Sequence, residues 1–318
     1  MTDKQIKGWL RRRFTQVGWV LVIYYFLMTV LSMIAMMGEA ANQMLSAWRM
    51  GDFSGKYDEG AIFGNAWGYI VSIAVGFVIL HGWKGPEYWR REVLVKERKM
   101  TVPVFFAILC LCAGSQMVNS LWVSGLELVL NQFGRSVVPL LESVSGDSDT
   151  FSMFLYASLL APIAEEALFR GYILRSLRPF GRRFAIFGSA FLFGLFHGNL
   201  LQAPYAFLMG LLLGYVAVEY SVGWAIGLHM FNNLVLADLL TRLTASLPDV
   251  VYNIISLILF GGCALVSLVI LIAKRHEIRA YNRSEWMDRR VLKCFFTNSG
   301  ILVLTVLMLA NMIMILLA

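Results

Sequence analysis

The feature that most constrains this chain is a series of apolar stretches of about 20 residues, the length needed to cross a bilayer. At a rise of 1.5 Å per residue, such a helix covers the roughly 30 Å of a hydrocarbon core. The 318 residues are 58% hydrophobic and only 15% charged, whereas a soluble domain carries roughly 25% charged residues. This composition excludes a soluble enzyme, a disordered protein and a disulfide-linked secreted domain.

The apolar stretches predict an all-α fold, a polytopic transmembrane helical bundle of eight or nine spans. The nine candidate spans are 14–37, 61–82, 103–123, 151–174, 184–200, 203–221, 223–241, 251–273 and 297–318. The fifth is short, and 124–141 is apolar enough for an interfacial helix or a re-entrant segment, so a count of eight also fits. The first stretch exceeds the roughly 7–15 apolar residues of a secretory signal, which predicts a retained helix.

Lysine and arginine are distributed unevenly between the connections, and this predicts an orientation. If the N-terminus is cytoplasmic, the inner connections 1–13, 83–102, 175–183 and 274–296, called the basic segments below, hold 22 of the 27 Lys and Arg residues. This asymmetry agrees with the positive-inside rule. The positive net charge therefore indicates topology and a contact with the lipid bilayer, and no nucleic-acid partner.

Ionisable side chains in these spans are candidates for function, because burying one in the membrane costs several kcal/mol. The polar residues at membrane depth are Glu165, Glu166 and Arg170 in the fourth span, His197 in the fifth, and His229, Asn232 and Asn233 in the seventh. The helical rise places them roughly in one layer, on the cytoplasmic side of the midplane. Glu219 and Asp238 lie near span ends and are interpreted as structural, Asp238 as the i,i+4 partner of Arg242.

The spacing of the two glutamates predicts different roles for them. Glu166 and Arg170 are four residues apart, so one helix face can hold them as an ion pair. Glu165 points about 100° away from this pair and is therefore a candidate for a functional role. Pro162, just before them, can bend the helix and loosen its backbone hydrogen bonds.

The third polar group predicts a pair of hydrogen-bond donors. His229 and Asn233 are also four residues apart, so both can aim at one point. Asn232 then faces another direction, and we expect it to hydrogen-bond a neighbouring helix.

A buried polar cluster inside a helical bundle suits proteolysis within the membrane. The His-Glu-x-x-His motif of metalloproteases is absent, and Asp238 is the only aspartate in a predicted span, whereas an aspartyl protease needs two. Ser158 and Ser189 lack the flanking glycines of a nucleophile elbow. What remains is a glutamate that activates water as a general base. A zinc site built from two histidines and a glutamate stays an alternative.

Three motifs in order resemble the CPBP family, which comprises the CAAX proteases and the bacteriocin-processing (Abi) enzymes, also called intramembrane glutamic endopeptidases. The motifs are Glu165-Glu166-x-x-x-Arg170 with Phe169 and Gly171, Phe193-x-x-x-His197, and His229-x-x-x-Asn233. The resemblance covers roughly residues 151–241 and implies a fold of membrane helices with the motifs on separate helices.

The resemblance also implies roles for the motif residues. Glu165 would activate water, His197 would hold or polarise that water, and His229 and Asn233 would bind the oxyanion. The second glutamate and the arginine of the first motif would orient and support them. The implied substrate is a membrane protein or a lipidated peptide, including prenylated CAAX proteins cleaved at the cytoplasmic face, and no cofactor or metal is implied.

We expect N-terminal membrane helices over 1–150, a catalytic core of four spans over 151–241 and C-terminal membrane helices over 242–318. The expected location is a bacterial inner membrane, with the active site toward the cytoplasm. Two other functions remain alternatives. One is a non-catalytic membrane scaffold or immunity protein with the same fold, and the other is a transporter or proton relay built on the buried carboxylates.

Overall fold

The computed structural model describes residues 3–51, 54–145, 150–283 and 288–317. Within these ranges the chain is helical and contains no strand, which confirms the all-α fold class of an integral membrane protein. Its nine long helices are α1 Asp3–Met50, α2 Trp67–Lys84, α3 Val102–Asn131, α4 Phe151–Phe180, α5 Arg182–Phe196, α6 Ala203–Glu219, α7 222–244, α8 Asp249–Ala273 and α9 Ser299–Leu317.

Six of the described helices are long and apolar enough to cross a membrane, namely α1, α2 with the short helix before it, α3, α4, α8 and α9. The expected count of eight or nine is therefore too high, although a helix occupies each predicted position. Helices α5 and α6 have 15 and 17 residues, and their lengths of about 23 and 26 Å fall short of a roughly 30 Å core. Helix α7 is long enough, but its apolar sequence is interrupted by His229, Asn232, Asn233 and Asp238.

Two helices extend further than the apolar pattern predicts. Helix α1 has 48 residues and is about 72 Å long, well beyond the predicted span 14–37. Helix α3 continues to Asn131, and a separate short helix covers Val138–Ser145. The segment 124–141, expected to be interfacial or re-entrant, is therefore partly the end of α3 and partly this second helix.

The described residues of the basic segments, 3–13, 83–102, 175–183, 274–283 and 288–296, meet at one end of the bundle, which we call the basic end. There Glu219, 5% exposed at the end of α6, binds Arg98 at 3.0 Å and Arg182 at 2.9 Å and accepts a hydrogen bond from the Tyr281 hydroxyl at 3.0 Å. Burial and this carboxylate raise the pKa of Tyr281, so its hydroxyl stays protonated and donates. Glu219 thus joins three of the four basic segments, in agreement with its predicted structural role.

The remaining connections form the other end of the bundle, which we call the opposite end, and their described residues are 51, 54–66, 132–145, 150, 197–202 and 245–248. Its hydrogen bonds run from Thr150 Oγ1 to Gly64 O, Trp122 Nε1 to Leu200 O, Arg135 Nη1 to Leu316 O and Asn311 Nδ2 to Gly198 O. Successive long helices therefore alternate in direction, and α4 runs from the opposite end to the basic end.

Helices α1 and α9 pack through two glycines, and this contact joins the remaining basic segment, of which residues 3–13 are described, to the rest of the bundle. A Cβ atom on Gly18 would lie 2.4 Å from the carbonyl carbon of Gly300, closer than real side chains allow. Beside this contact, Asn298 Nδ2 donates to Arg11 O at 3.1 Å and to Thr15 Oγ1 at 3.0 Å. Small residues at such crossings let helix backbones approach closely in a membrane.

The Gly18→Ala variant should therefore lose stability, because the added methyl group meets the backbone of α9. Gly38→Ala in the same helix is the matched control, since a Cβ atom there has nothing within 4 Å. The control should be neutral or slightly stabilising, because alanine favours a helix over glycine by about 1 kcal/mol. Thermal unfolding in detergent measures both, and an equal change in the two variants would contradict the contact.

Candidate active site

Helix α4 carries its two glutamates between irregular turns. A π-helical turn covers Leu155–Leu160, a regular turn covers Ala161–Glu166, and a second π-helical segment covers Ala167–Leu174. Pro162, in the regular turn, has no N–H to donate to the preceding turn. The wider π-helical geometry, which often occurs at functional sites, agrees with the predicted loosening of the backbone hydrogen bonds.

The predicted ion pair between Glu166 and Arg170 is confirmed. Arg170 Nη1 lies 2.8 Å from Glu166 Oε1, and both side chains are fully buried. The guanidinium also donates from Nη2 to Gly210 O at 3.3 Å and lies 4.4 Å from the ring centre of Phe193. The pair therefore links α4 to Gly210 of α6 and to Phe193 of α5.

His229 lies between the two carboxylates. Its Nδ1 is 2.9 Å from Glu166 Oε1, and its Nε2 is 3.8 Å from Glu165 Oε2. A carboxylate can only accept, so Nδ1 carries a proton in this arrangement. Donation from Nε2 as well requires the imidazolium form. Of the two glutamates, Glu165 is 26% exposed in its side chain and Glu166 is buried.

The imidazole of His197 is oriented by its own helix. Its Nδ1 lies 2.9 Å from Phe193 O, and because a carbonyl accepts, the proton is assigned to Nδ1 and the lone pair to Nε2. The Phe193 ring packs edge-to-face against His197 and His229, with ring centres 4.8 and 5.9 Å apart. Phe193 thus spaces the two histidines, a role that the motif alone did not predict.

The two asparagines of α7 are held from different sides. Asn232 accepts a hydrogen bond from the Tyr205 hydroxyl of α6 at 2.7 Å, which confirms its expected contact with a neighbouring helix. It also donates to Asn233 Oδ1 at 3.1 Å, and Asn233 Nδ2 donates to Ala157 O of α4 at 3.0 Å. Sequence reasoning missed Tyr205, although a hydroxyl within an apolar helix was a visible signal.

A cavity of about 310 Å³ brings these side chains together. Its wall includes Glu165 of α4, His197 just after α5, and His229 and Asn233 of α7, the four residues expected to be catalytic. Asn232, Gln116, Gln202, Tyr205 and Asp238 add further polar groups to this wall. Asp238 is paired with Arg242 at 3.0 Å, as the spacing predicted. Glu166 and Arg170 are fully buried and do not line this cavity.

The described residues contain no group of three or more His, Cys, Asp or Glu side chains placed to hold a metal ion. His229 directs Nδ1 to Glu166 and His197 directs Nδ1 to a backbone carbonyl, so Nε2 is the nitrogen of each imidazole that is left for a ligand.

Residues 147–235 match the Rce1-like family model, described as type II CAAX prenyl endopeptidase Rce1-like. The match includes every motif residue named above, and it confirms the resemblance to the CPBP family over this part of the chain. It supports a hydrolase that cleaves peptide bonds in the membrane. No curated protein and no solved structure matches the chain.

Arg170→Met should destabilise the protein by about 3–5 kcal/mol, because it leaves the buried Glu166 carboxylate without its counter-ion. The matched control is Arg242→Met, which removes a pair whose arginine side chain is 44% exposed and should cost at most about 1 kcal/mol. Unfolding in mixed micelles measures both changes. Similar losses would mean that the buried pair is not the anchor of this site.

Proposed function

From residues 147–235, which match the Rce1-like endopeptidase family, we propose that this chain is an intramembrane glutamic endopeptidase. The observation that carries the proposal is the shared cavity, which is lined by the partly exposed carboxylate of Glu165, by two imidazoles and by the amide of Asn233. A second carboxylate adjacent in sequence is buried and neutralised by an arginine. Glu165 is thus available to act on a ligand, while Glu166 has a structural role.

Water would be activated between Glu165 and His197. The carboxylate of Glu165 accepts one proton as the water oxygen attacks the scissile carbonyl carbon, which is general base catalysis. Nε2 of His197 can accept the second hydrogen of the same water, because its proton is held on Nδ1 by Phe193 O. This lone pair orients the water, and Glu165 is the proton acceptor.

The resulting oxyanion would be bound from α7. One amide hydrogen of Asn233 is used by Ala157 O, which leaves the second for the substrate oxygen, and the imidazolium form of His229 adds Nε2–H. One such donor contributes about 3–4 kcal/mol to the lowering of the barrier. The intermediate then collapses: the C–N bond breaks, and Glu165 returns its proton to the leaving amine.

The proposed substrate is a membrane-associated protein or a lipidated peptide, the class that the family match indicates. The proposed catalytic core is 151–241, flanked by the helices of 1–150 and 242–318. We place the protein in a bacterial inner membrane with the N-terminus and the basic end in the cytoplasm, in keeping with the positive-inside rule. No cofactor is assigned to the reaction.

Glu165→Gln should lower cleavage by about 10²–10⁴-fold, the usual contribution of a general base, and leave the fold intact. Wild type and variant are incubated with a library of prenylated and unmodified membrane peptides, and new termini are detected by mass spectrometry. Glu39→Gln is the matched control, because this glutamate of α1 is remote in sequence from the motifs and does not line the cavity. If neither folded wild type nor folded Glu165→Gln produces new termini, the result would favour the non-catalytic scaffold.

Removal of metal ions should leave cleavage unchanged, because the proposed base and donors are protein side chains. The measurement is the initial rate after dialysis against a chelator, with and without zinc added back. Inhibition by the chelator that zinc reverses would replace the glutamate mechanism by a zinc-dependent one.

A further inference from the structure

A second cavity, which we call the apolar slot, lies between α1, α2 and α4. Its volume is about 150 Å³, and it shares no lining residue with the active-site cavity. Its floor includes Ala164 and Ala167 of α4, which are 8% and 5% exposed. Its rim includes Ile23 of α1 and Ile79 of α2, which are 62% and 58% exposed. The slot is therefore a groove in the outer surface of the bundle, where membrane helices border lipid.

The walls of the apolar slot suit a hydrocarbon chain. Apart from the Tyr24 hydroxyl and the Trp83 indole nitrogen, the side chains that line it carry no polar atom. Small residues keep the groove open: Gly76 has no side chain, and a Cβ atom there would lie 2.9 Å from the Tyr24 ring. Such a surface gains free energy by covering apolar groups and offers little to a polar peptide.

Two basic residues follow the apolar slot toward the basic end. Lys84 comes directly after the lining residue Trp83 and four residues after Leu80, on the same face of α2. Arg13 lies seven residues before Val20, which is about two helical turns along the same face of α1. Both helices therefore continue from an apolar wall to a cation.

The positive charge at this end of the slot is not compensated within the described residues. None of their carboxylates forms an ion pair with Lys84, whose charged neighbour is Arg13, close enough to repel it. The nearest acidic residue in sequence, Glu87, binds Arg91 at 2.9 Å. Two neighbouring cations beside an apolar groove predict a ligand that carries both an anionic group and a hydrocarbon chain.

Aromatic rings hold the ammonium group of Lys84 in place. Its Nζ lies 4.0 Å from the ring centre of Trp83, 4.9 Å from that of Tyr172 and 5.6 Å from that of Tyr88. The rings of Trp83 and Tyr172 also contact each other, with centres 5.4 Å apart. Cation–π contacts orient the ammonium group and leave its charge in place. Tryptophan and tyrosine at a helix end are typical of the headgroup level of a bilayer.

We propose that the apolar slot binds an anionic phospholipid of the bilayer, with an acyl chain in the groove and the phosphate group bound by Lys84 and Arg13. Basic pockets between membrane helices bind anionic headgroups in this way. Because Ala164 directly precedes Glu165, the acyl chain packs against the turn of α4 that carries the proposed base. The proposal concerns lipid binding and does not depend on the proposed protease function.

Thermal unfolding and native mass spectrometry of the delipidated full chain in a nonionic detergent test the site. Dioleoylphosphatidylglycerol, which is anionic, is compared with dioleoylphosphatidylcholine, which has the same acyl chains and no net charge. Phosphatidylglycerol should raise the Tm and remain bound as a single lipid under conditions in which phosphatidylcholine dissociates. Equal binding of the two lipids would overturn the proposal, because the cations would then make no difference.

Charge removal tests the headgroup contact. Lys84→Gln should weaken the binding of phosphatidylglycerol about five-fold, and the double variant with Arg13→Gln about 30-fold, the usual effect of one and two basic residues near the membrane surface. Lys99→Gln is the matched control, because Lys99 is exposed, belongs to the same basic segment and does not line the slot. Equal losses in Lys84→Gln and Lys99→Gln would indicate general attraction by the basic end and overturn a specific site.

A larger side chain on the rim tests the acyl-chain contact. Ile79→Trp should fill part of the groove and weaken the binding of phosphatidylglycerol. Val78→Trp is the matched control, since Val78 is 73% exposed and does not line the slot, and it should bind like wild type. Unchanged binding in both variants would place the lipid elsewhere, as would an equal rise in Tm with inorganic phosphate alone.

Farnesol distinguishes a bilayer lipid from the lipid group of a substrate. It has an apolar chain without a charge, and it should not displace phosphatidylglycerol. Displacement by farnesol, together with farnesol binding that Lys84→Gln leaves unchanged, would assign the slot to a prenyl group and overturn the proposal. These measurements need no cleavage, so an inactive wild type would overturn the proposed function and leave the lipid site standing.

Discussion

The site depends on the neutralisation of one buried charge. Arg170 is fully buried inside a membrane bundle and cannot give up its proton, so it must be met by acceptors. Glu166 Oε1 and Gly210 O meet it, and the same carboxylate oxygen holds Nδ1 of His229. A buried ion pair contributes little net stability. Its effect here is to fix the relative positions of α4, α6 and α7.

This arrangement divides the work between two adjacent glutamates. Consecutive helical residues point about 100° apart, so Glu166 faces the interior of the bundle and Glu165 faces the cavity. The carboxylate of Glu166 is paired with Arg170 at 2.8 Å, while the carboxylate of Glu165 lies 3.8 Å from Nε2 of His229. The different roles of the two glutamates are therefore a direct consequence of helical geometry. Moving either glutamate by one position along the helix would turn its side chain to another face.

The sequence predicted the fold class and the polar residues well, because both follow from local rules. Apolar length identifies helices, and a charge at membrane depth is conspicuous. It overestimated the number of spans, since α5 and α6 are too short to cross a membrane core. The contacts of Phe193 and Tyr205 depend on how helices from distant parts of the chain meet, which spacing alone does not encode.

The glycine contact between α1 and α9 has a consequence for how the protein is made. Among the nine long helices, α1 enters the bilayer first and α9 last, yet each packs its small-residue face on the other. Until α9 is inserted, the face of α1 at Gly18 lacks this helix partner. A nascent chain that ends before residue 299 would therefore expose the small-residue face of α1, even though all residues that line the cavity have already been synthesised.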